Sequence, residues 1–301
     1  MIFDAIIVGG GPAGLNAALV LRRCHRNVIL FDTGKQRNRF SHALHNYLTR
    51  DNILPADFLA IAYKELKKYG TRVNRVEIVH AEKLHSGIFF VQDEHGKKYH
   101  SKKLLLATGL TDNIPPVEGV MDFYGKTVFH CPYCDGWEVS NKNIGVYAKN
   151  KNGFELAISL LTWSNKVTLY TDGKNYLKPL EKQALERKKI MIVSEKILKL
   201  EGKKGQLQNI LLRTDKRHKC DAMFFVNGYR QQCKITETLG CEMSKKGQVT
   251  TNRLQQANIA GLYVAGDVAR DMHFVVVAAA EGAKAGVSIN KELQKEDLRN
   301  K

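Results

Sequence analysis

The chain has 301 residues, enough for two domains at roughly 100–200 residues each. Its composition, 44% hydrophobic and 26% charged, excludes a disordered tail and a collagen-like repeat, and six cysteines are too few for a disulfide scaffold. The 47 Lys and Arg against 30 Asp and Glu leave a net charge of +17. Residues 4–8 are a short apolar run that ends in glycines, the pattern of a buried strand. Residues 13–24 are rich in Ala and Leu and predict a helix, and 28–31 predict a second strand. Residues 55–69 carry Phe58, Leu59, Ala62, Leu66 and Tyr69 on one helical stripe, with Gly70 as the stop. A hairpin is expected from 88–92 and 97–100 around Asp93-Glu94-His95-Gly96, then a buried strand at 104–107. Pro115-Pro116 marks a domain boundary. A second strand–helix–strand unit follows at 144–147, 153–163 and 167–170, continued by the apolar segments 190–193 and 210–212. A second boundary is expected near 243–248, before a strand at 261–265 and a helix at 274–293.

The excess charge is uneven. Residues 142–219 hold 18 Lys and Arg against 7 Asp and Glu, a net of +11. Such a segment either steers an acidic partner or simply solvates helix faces. Lys outnumbers Arg and few aromatics interleave, which favours solvated faces. No nucleic-acid module is legible. Apolar runs such as 274–280 fall well short of the roughly 20 residues of a membrane helix. An acidic residue, Asp4, stands where a secretory leader is basic. The expectation is a cytoplasmic protein with no nucleic-acid or membrane partner.

Gly9-Gly10-Gly11-Pro12-Ala13-Gly14 satisfies G-x-G-x-x-G between a strand and a helix. In that setting Gly9 permits the tight turn, Gly11 lets a pyrophosphate reach the backbone, and Gly14 lets helix and strand pack closely. The helix N-terminus offers unpaired N–H groups to phosphate. Asp32 ends the second strand 18 residues after Gly14, where a carboxylate accepts hydrogen bonds from a ribose. The plain alternative is a tight turn without a ligand. Near the other end, Gly266-Asp267 closes a short apolar strand, and Thr108-Gly109 closes the strand at 104–107.

Cys131-Pro132-Tyr133-Cys134-Asp135-Gly136 contains C-x-x-C. When such a pair opens a helix its sulfurs approach disulfide distance, and the helix N-terminus favours a thiolate. Asp135 adjoins the second thiol as a candidate general acid. A zinc site needs two more ligands, and Cys220, Cys233 and Cys241 form no second pair, so no metal is expected. Together with Cys24, these three read as small, partly buried side chains.

The order of these features resembles that of low-molecular-weight, bacterial-type thioredoxin reductases, over essentially the whole chain. The resemblance implies an α/β fold of two Rossmann-like, doubly wound domains. An FAD domain would be discontinuous (1–114 and 245–301), and an inserted domain (115–244) would carry the disulfide on a nicotinamide-nucleotide scaffold. It implies FAD held by Gly9, Gly11, Pro12, Ala13, Gly14, Asp32, Thr108, Gly109, Gly266 and Asp267. It also implies a homodimer, and electrons passing from NADPH through FAD and the disulfide to a thioredoxin-like protein or a small disulfide. Cys134 would lie against the flavin, Cys131 would attack the substrate, and Asp135 would protonate a thiolate.

One part departs from that pattern. After Ile144–Tyr147, the expected glycines are Ala148 and Asn150, and only Gly153, with Glu155 close behind, fits the nucleotide turn. Asp172 stands where the family holds a 2′-phosphate with basic residues. An Asp there repels a 2′-phosphate and can accept from a free 2′-hydroxyl. NADPH, NADH and an acidic ferredoxin-type donor therefore all stay open. The stretch carrying His42, His45 and Asn46 falls where the family approaches the flavin, and it also resembles dithiol oxidases of natural-product pathways, with His42 or His45 as a base. The leading expectation is an FAD-dependent disulfide oxidoreductase. A small-molecule dithiol oxidase and a non-catalytic redox sensor are the alternatives.

Overall fold

The computed structural model describes residues 1–299 and divides into two compact units. One contains Met1–Arg39, Asn46–Thr111 and the chain from Arg230 onward; the other contains Phe40–His45 and Asp112–Tyr229.

The first unit begins with β1 (Ile2–Val8), α1 (Pro12–Arg23) and β2 (Val28–Phe31), as the apolar runs predict. Then come α2 (Pro55–Lys68), β3 (Arg72–Asn74), β4 (Ile78–Lys83), β5 (Phe89–Asp93) and β6 (Lys98–Leu106). The strands order as β3-β2-β1-β6-β5-β4, with β1 parallel to both β2 and β6. The expected strands at 97–100 and 104–107 are one strand, β6. Its first half pairs antiparallel with β5 while its length runs parallel to β1. Lys102-Lys103 reads as a break in the sequence, yet Lys103 is only 4% exposed, and its ammonium meets Glu292 at 2.6 Å and also Glu296.

After β7 (Leu110–Asp112) the chain builds the second unit. Its elements are α3 (Val120–Phe123), β8 (Val128–Phe129), α4 (Pro132–Asp135), β9 (Ile144–Tyr147), α5 (Asn152–Leu160), β10 (Val167–Tyr170), α6 (Pro179–Arg187), β11 (Met191–Val193), β12 (Ile197–Lys203), β13 (Gln206–Leu212), β14 (Arg217–Lys219) and β15 (Ala222–Phe225). The parallel sheet orders as β11-β10-β9-β15-β8. The segment 210–212 does not continue it. It ends β13, the middle of an antiparallel sheet β12-β13-β14, because Gly205 at φ +78° closes a hairpin. The place beside β9 goes instead to β15, four buried residues in a row, as a strand covered on both faces requires.

The chain returns through β16 (Tyr229–Gln231), α7 (Ile235–Thr238), β17 (Leu262–Val264) and α8 (Val275–Arg299). The return comes at Arg230, earlier than the boundary expected near 245, because Ile235, Cys241 and Val249 bury themselves in the first unit's core. β17 extends the first sheet parallel to β6. α8 lies so close on α1 that a Cβ at Gly282 would sit 1.9 Å from the Ala13 carbonyl oxygen. Both units are mixed α/β of the Rossmann type, as expected.

Candidate functional site

In the first unit the glycines of the β1–α1 turn divide by need. Gly9 has φ +113°, and a Cβ there would lie 2.1 Å from the Ala107 carbonyl oxygen. A Cβ at Gly10 would lie 2.4 Å from Cγ of Asp32, and one at Gly14 would lie 1.9 Å from the Gly9 oxygen. Gly11 differs. Its φ of −79° and ψ of −177° suit any residue, and a Cβ there would meet nothing within 4 Å. Neither backbone nor packing requires a glycine at this position. Pro12 opens α1 with no side-chain cap, so the first N–H groups of the helix are free to meet an anion.

Asp32, at the end of β2, is 5% exposed. It accepts from Gln36 Nε2 at 3.1 Å on both oxygens, from Gly34 N–H at 3.1 Å, from the Tyr63 hydroxyl and from Arg75. Arg75 also stacks 4.3 Å from the centre of the Tyr63 ring. Burial, reinforced by Asp32, pushes the Tyr63 phenol well above its ordinary range. Sequence reasoning missed Tyr63 and Arg75. The available signal was positional, since Arg75 directly follows β3, the parallel neighbour of β2.

The second cluster of this unit surrounds Gly266. Its φ is +84°, and a Cβ would press on Cβ of Ala13 at 3.0 Å. Its N–H donates to Glu281 at 2.9 Å, and Arg37 meets Asp267 at 3.1 Å. Gly109 takes φ +70°, and the Thr108 hydroxyl is buried with no hydrogen-bond partner.

In the second unit Cys131 and Cys134 form a disulfide with Cα atoms 5.3 Å apart. Cys131 is the N-cap of the single-turn α4, and Tyr133 and Trp137 around it are 66% and 80% exposed. Gly136 is required here because a Cβ would strike the Trp163 ring at 2.6 Å, and Trp163 in turn braces Tyr133 edge-on at 5.5 Å. Burial, and then the charge of Glu138, push the Asp135 carboxyl up to about 7. His45 Nε2 lies 3.4 Å from Glu138. His42 Nδ1 lies 3.1 Å from the Gly125 carbonyl oxygen. His42 and His45 thus belong with the disulfide unit, whereas Asn46, at φ +64° with its N–H on Asp51 at 2.8 Å, belongs to the first. Glu138 was not singled out by the sequence, and neither was the contact of His130 with Asp112 at 3.7 Å.

In the expected nucleotide turn of this unit, the glycine that remains is held by packing. A Cβ at Gly153 would meet the Tyr176 hydroxyl at 2.3 Å and Cβ of Ala148 at 2.6 Å, so this glycine answers to packing. Asn150 Oδ1 accepts the Asn152 N–H at 3.0 Å, and Glu155 is exposed in the first turn of α5. Asp172 does not face outward as an exposed carboxylate. It is 9% exposed, and accepts from Ile197 N–H at 2.9 Å, Tyr147 OH at 3.1 Å and Lys149 at 2.7 Å. Burial opposes its ionisation, but Lys149 and these hydrogen bonds hold it below the usual carboxylate range. The repulsion expected of it is therefore neutralised inside the fold.

Cys220 and Cys241 are buried, and burial pushes their thiols up to about 12 and about 11; Cys24 is exposed and Cys233 half-buried. Among the described residues no His, Cys, Asp and Glu group could hold a metal ion, and no helix is long and apolar enough to cross a membrane.

Residues 3–282 match the model of the family described as pyridine nucleotide-disulphide oxidoreductase. The thioredoxin reductase tcpT of Claviceps purpurea is 30% identical over 97% of this chain and 94% of its own length. The crystal structure of Bacillus anthracis TrxB, named as a thioredoxin reductase, is 30% identical with a TM-score of 0.93, covering 98% of this chain and 99% of that one. HlmI is 30% identical with a TM-score of 0.96, covering 99% of this chain and 95% of that one.

Proposed function

Because the chain belongs to the pyridine nucleotide-disulphide oxidoreductase family, as a thioredoxin-reductase-like enzyme within it, we propose that it holds FAD in its first unit and relays electrons through the Cys131–Cys134 disulfide to an external disulfide. Gly11 carries the cofactor assignment: neither strain nor packing calls for a glycine there, and a closely approaching ligand would. The N–H groups of Gly11, Pro12-flanking Ala13 and Gly14 suit a pyrophosphate, and Gly9 sets the turn that aims them. Asp32 suits a ribose hydroxyl. Gly109 and Gly266 keep the backbone close to the ligand path, with the buried Thr108 hydroxyl and Asp267 as polar contacts. Bound there, FAD supplies two-electron chemistry that side chains lack.

The chain's own residues do the thiol chemistry. The reduced Cys131 thiolate attacks one sulfur of the external disulfide, which forms a mixed disulfide and releases one substrate thiolate. Cys134 then attacks the Cys131 sulfur, restoring the Cys131–Cys134 bond and releasing the second thiolate. Asp135 donates a proton to a departing thiolate, the role for which a carboxyl pushed up to about 7 is suited. The substrate is a thioredoxin-like protein or a small-molecule disulfide, and the working form is a homodimer.

The electron donor follows from a contrast between the two turns. Gly11 leaves room for a phosphate, whereas the matching position of the second turn is Asn150, whose side chain accepts the Asn152 N–H at 3.0 Å; Gly153 matches Gly14 and, like it, answers to packing. This supports poor use of NADPH and NADH, and an acidic ferredoxin-type donor steered by the basic second unit. The position of His45 against Glu138, beside the disulfide turn, favours a second reading in which the pair oxidises a small dithiol and His45 takes the thiol proton. The test is anaerobic. Purified protein should carry about one FAD per chain, and dithionite-reduced protein should reduce a disulfide substrate. Flavin-free protein that cannot be reconstituted ends the cofactor assignment. Flavin-loaded protein that turns over no disulfide or dithiol leaves a non-catalytic redox sensor.

A further inference from the structure

Each unit contains a strand–turn–helix–strand segment, β1-α1-β2 in one and β9-α5-β10 in the other, and backbone hydrogen bonds match the two turns residue by residue. In the first unit Gly9 N–H donates to the Phe31 carbonyl at 2.8 Å and Asp32 N–H to that of Asn74 at 3.0 Å. In the second, Ala148 N–H donates to the Tyr170 carbonyl at 3.1 Å and Thr171 N–H to that of Val193 at 2.9 Å. Ala148 therefore stands in the place of Gly9, Lys149 in that of Gly10, and Thr171 in that of Asp32. The acid of the second unit, Asp172, comes one residue later, in a left-handed conformation at φ +50°. That offset decides what the turn can carry. At Gly10 a Cβ would lie 2.4 Å from Cγ of Asp32, so no side chain fits between turn and acid. In the second unit this place holds a lysine.

The Lys149 ammonium meets Asp172 at 2.7 Å and lies 5.7 Å from the centre of the Tyr147 ring. Asp172 is fixed from two further sides, by Ile197 N–H at 2.9 Å and by the Tyr147 hydroxyl at 3.1 Å. A side chain that starts in the β9–α5 turn thus ends on the loop after β10, and ties together the carboxyl ends of two paired parallel strands. In an open α/β sheet a dinucleotide lies along that edge, with its adenosine ribose near the end of the second strand. Thr171, in the place of Asp32, is buried and its hydroxyl has no hydrogen-bond partner. The ribose place thus keeps a polar group that the fold itself does not use.

We propose that Lys149, held by Asp172, is the specificity-determining residue that closes the adenosine end of the second unit to nicotinamide nucleotides. Such closure rests on the reading above, in which these nucleotides are poor donors, and names its cause at the ribose. Asn150 crowds the pyrophosphate place, and Lys149 the ribose place. A ribose enters only if the ammonium leaves Asp172, which strips a nearly buried carboxylate of its counter-charge.

The test is binding of ADP-ribose to the full chain, followed by isothermal titration calorimetry with FAD in excess to keep the first turn filled. N150G, which clears the pyrophosphate place alone, should bind ADP-ribose little better than wild type. K149A in the N150G background should bind it at least about 10-fold more tightly, the scale of one charge-assisted contact. D172N in the same background frees the lysine instead of removing it, and should gain a similar factor for 2′-phosphorylated ADP-ribose; it serves if the K149A protein does not fold. Equal ADP-ribose affinity with and without Lys149 overturns the proposal. So does weaker binding without it, which would make Lys149 a nucleotide ligand. Titrating wild type with NADPH tells the two readings apart. Weak binding with no gain on removing Lys149 sinks this inference alone, whereas tight binding sinks the reading of a poor donor as well.

Discussion

Gly11 and Gly14 should separate folding from cofactor binding when each is changed to alanine. At Gly14 the new methyl would lie 1.9 Å from the Gly9 oxygen, a backbone atom that cannot swing aside, against an ordinary contact of 3.4 Å or more. α1 and β1 must part by more than 1 Å, which is overpacking at the upper end of its range, about 3 kcal/mol. For a domain of this size that lowers the melting temperature by roughly 6–12 °C. At Gly11 the methyl meets nothing within 4 Å and the backbone is already extended. Loss of unfolded-chain freedom stabilises by about 0.4–1 kcal/mol, and alanine is a poorer N-cap than glycine by a similar amount. The melt of flavin-free G11A should therefore stay within about 2 °C of wild type. The same methyl fills the phosphate path, so FAD affinity should fall by about 100-fold, or about 2.8 kcal/mol. The assays are thermal melts of stripped protein and FAD titration followed by quenching of flavin fluorescence. If G11A melts as low as G14A, or binds FAD as well as wild type, the division of the glycines by need is wrong.

Four further outcomes are expected. Asp135 binds its proton more tightly folded than unfolded between pH 3.8 and about 7, so the native state loses stability as pH rises through that window; D135N should remove the loss, and equal pH slopes of stability for wild type and variant would contradict it. If the proposed relay passes from flavin to Cys134, C131S should give a long-wavelength charge-transfer band, which an unchanged spectrum in both single-cysteine variants would deny. Anaerobic flavin reduction by NADPH and NADH over a concentration series should be slow and weakly saturating with both, whereas a fast, tight reaction with NADPH would restore an ordinary nicotinamide site around Gly153. K103A should destabilise by about 3 kcal/mol, the low end for breaking a buried pair because Glu292 and Glu296 are about a third exposed, and a chemical melt shifted by under 1 kcal/mol would show that solvent replaces the ammonium.

The parts legible in the sequence were those in which one short segment does the whole job. The β1–α1 turn, Asp32 and Cys131–Cys134 each announce themselves by local spacing. What stayed hidden was set by neighbours remote in sequence. Lys103 reads as a surface lysine until α8 brings Glu292 and Glu296 to it. Asp172 reads as an outward carboxylate until Tyr147, Lys149 and Ile197 turn it inward. Glu138 gains meaning only through His45, which lies more than ninety residues earlier. The segment 210–212 has the composition of a parallel core strand, and only the Gly205 hairpin assigns it to an antiparallel sheet.

The way the chain threads its two units bears on how it is made. Most of the second unit is a continuous stretch, Asp112–Tyr229, preceded by the short piece Phe40–His45 that joins it. Everything that unit needs has left the ribosome once Tyr229 emerges. The first unit is still unfinished then, because β17 and α8, which flank β6 and cover α1, come at the end. During synthesis β1 and α1 therefore wait, with an uncovered apolar helix face, for a helix that begins about 250 residues downstream. At roughly 5–20 residues per second the delay is tens of seconds. A nascent chain halted before Val275 should hold a protease-resistant second unit and an open first one, the state from which a chaperone would have the most surface to grip.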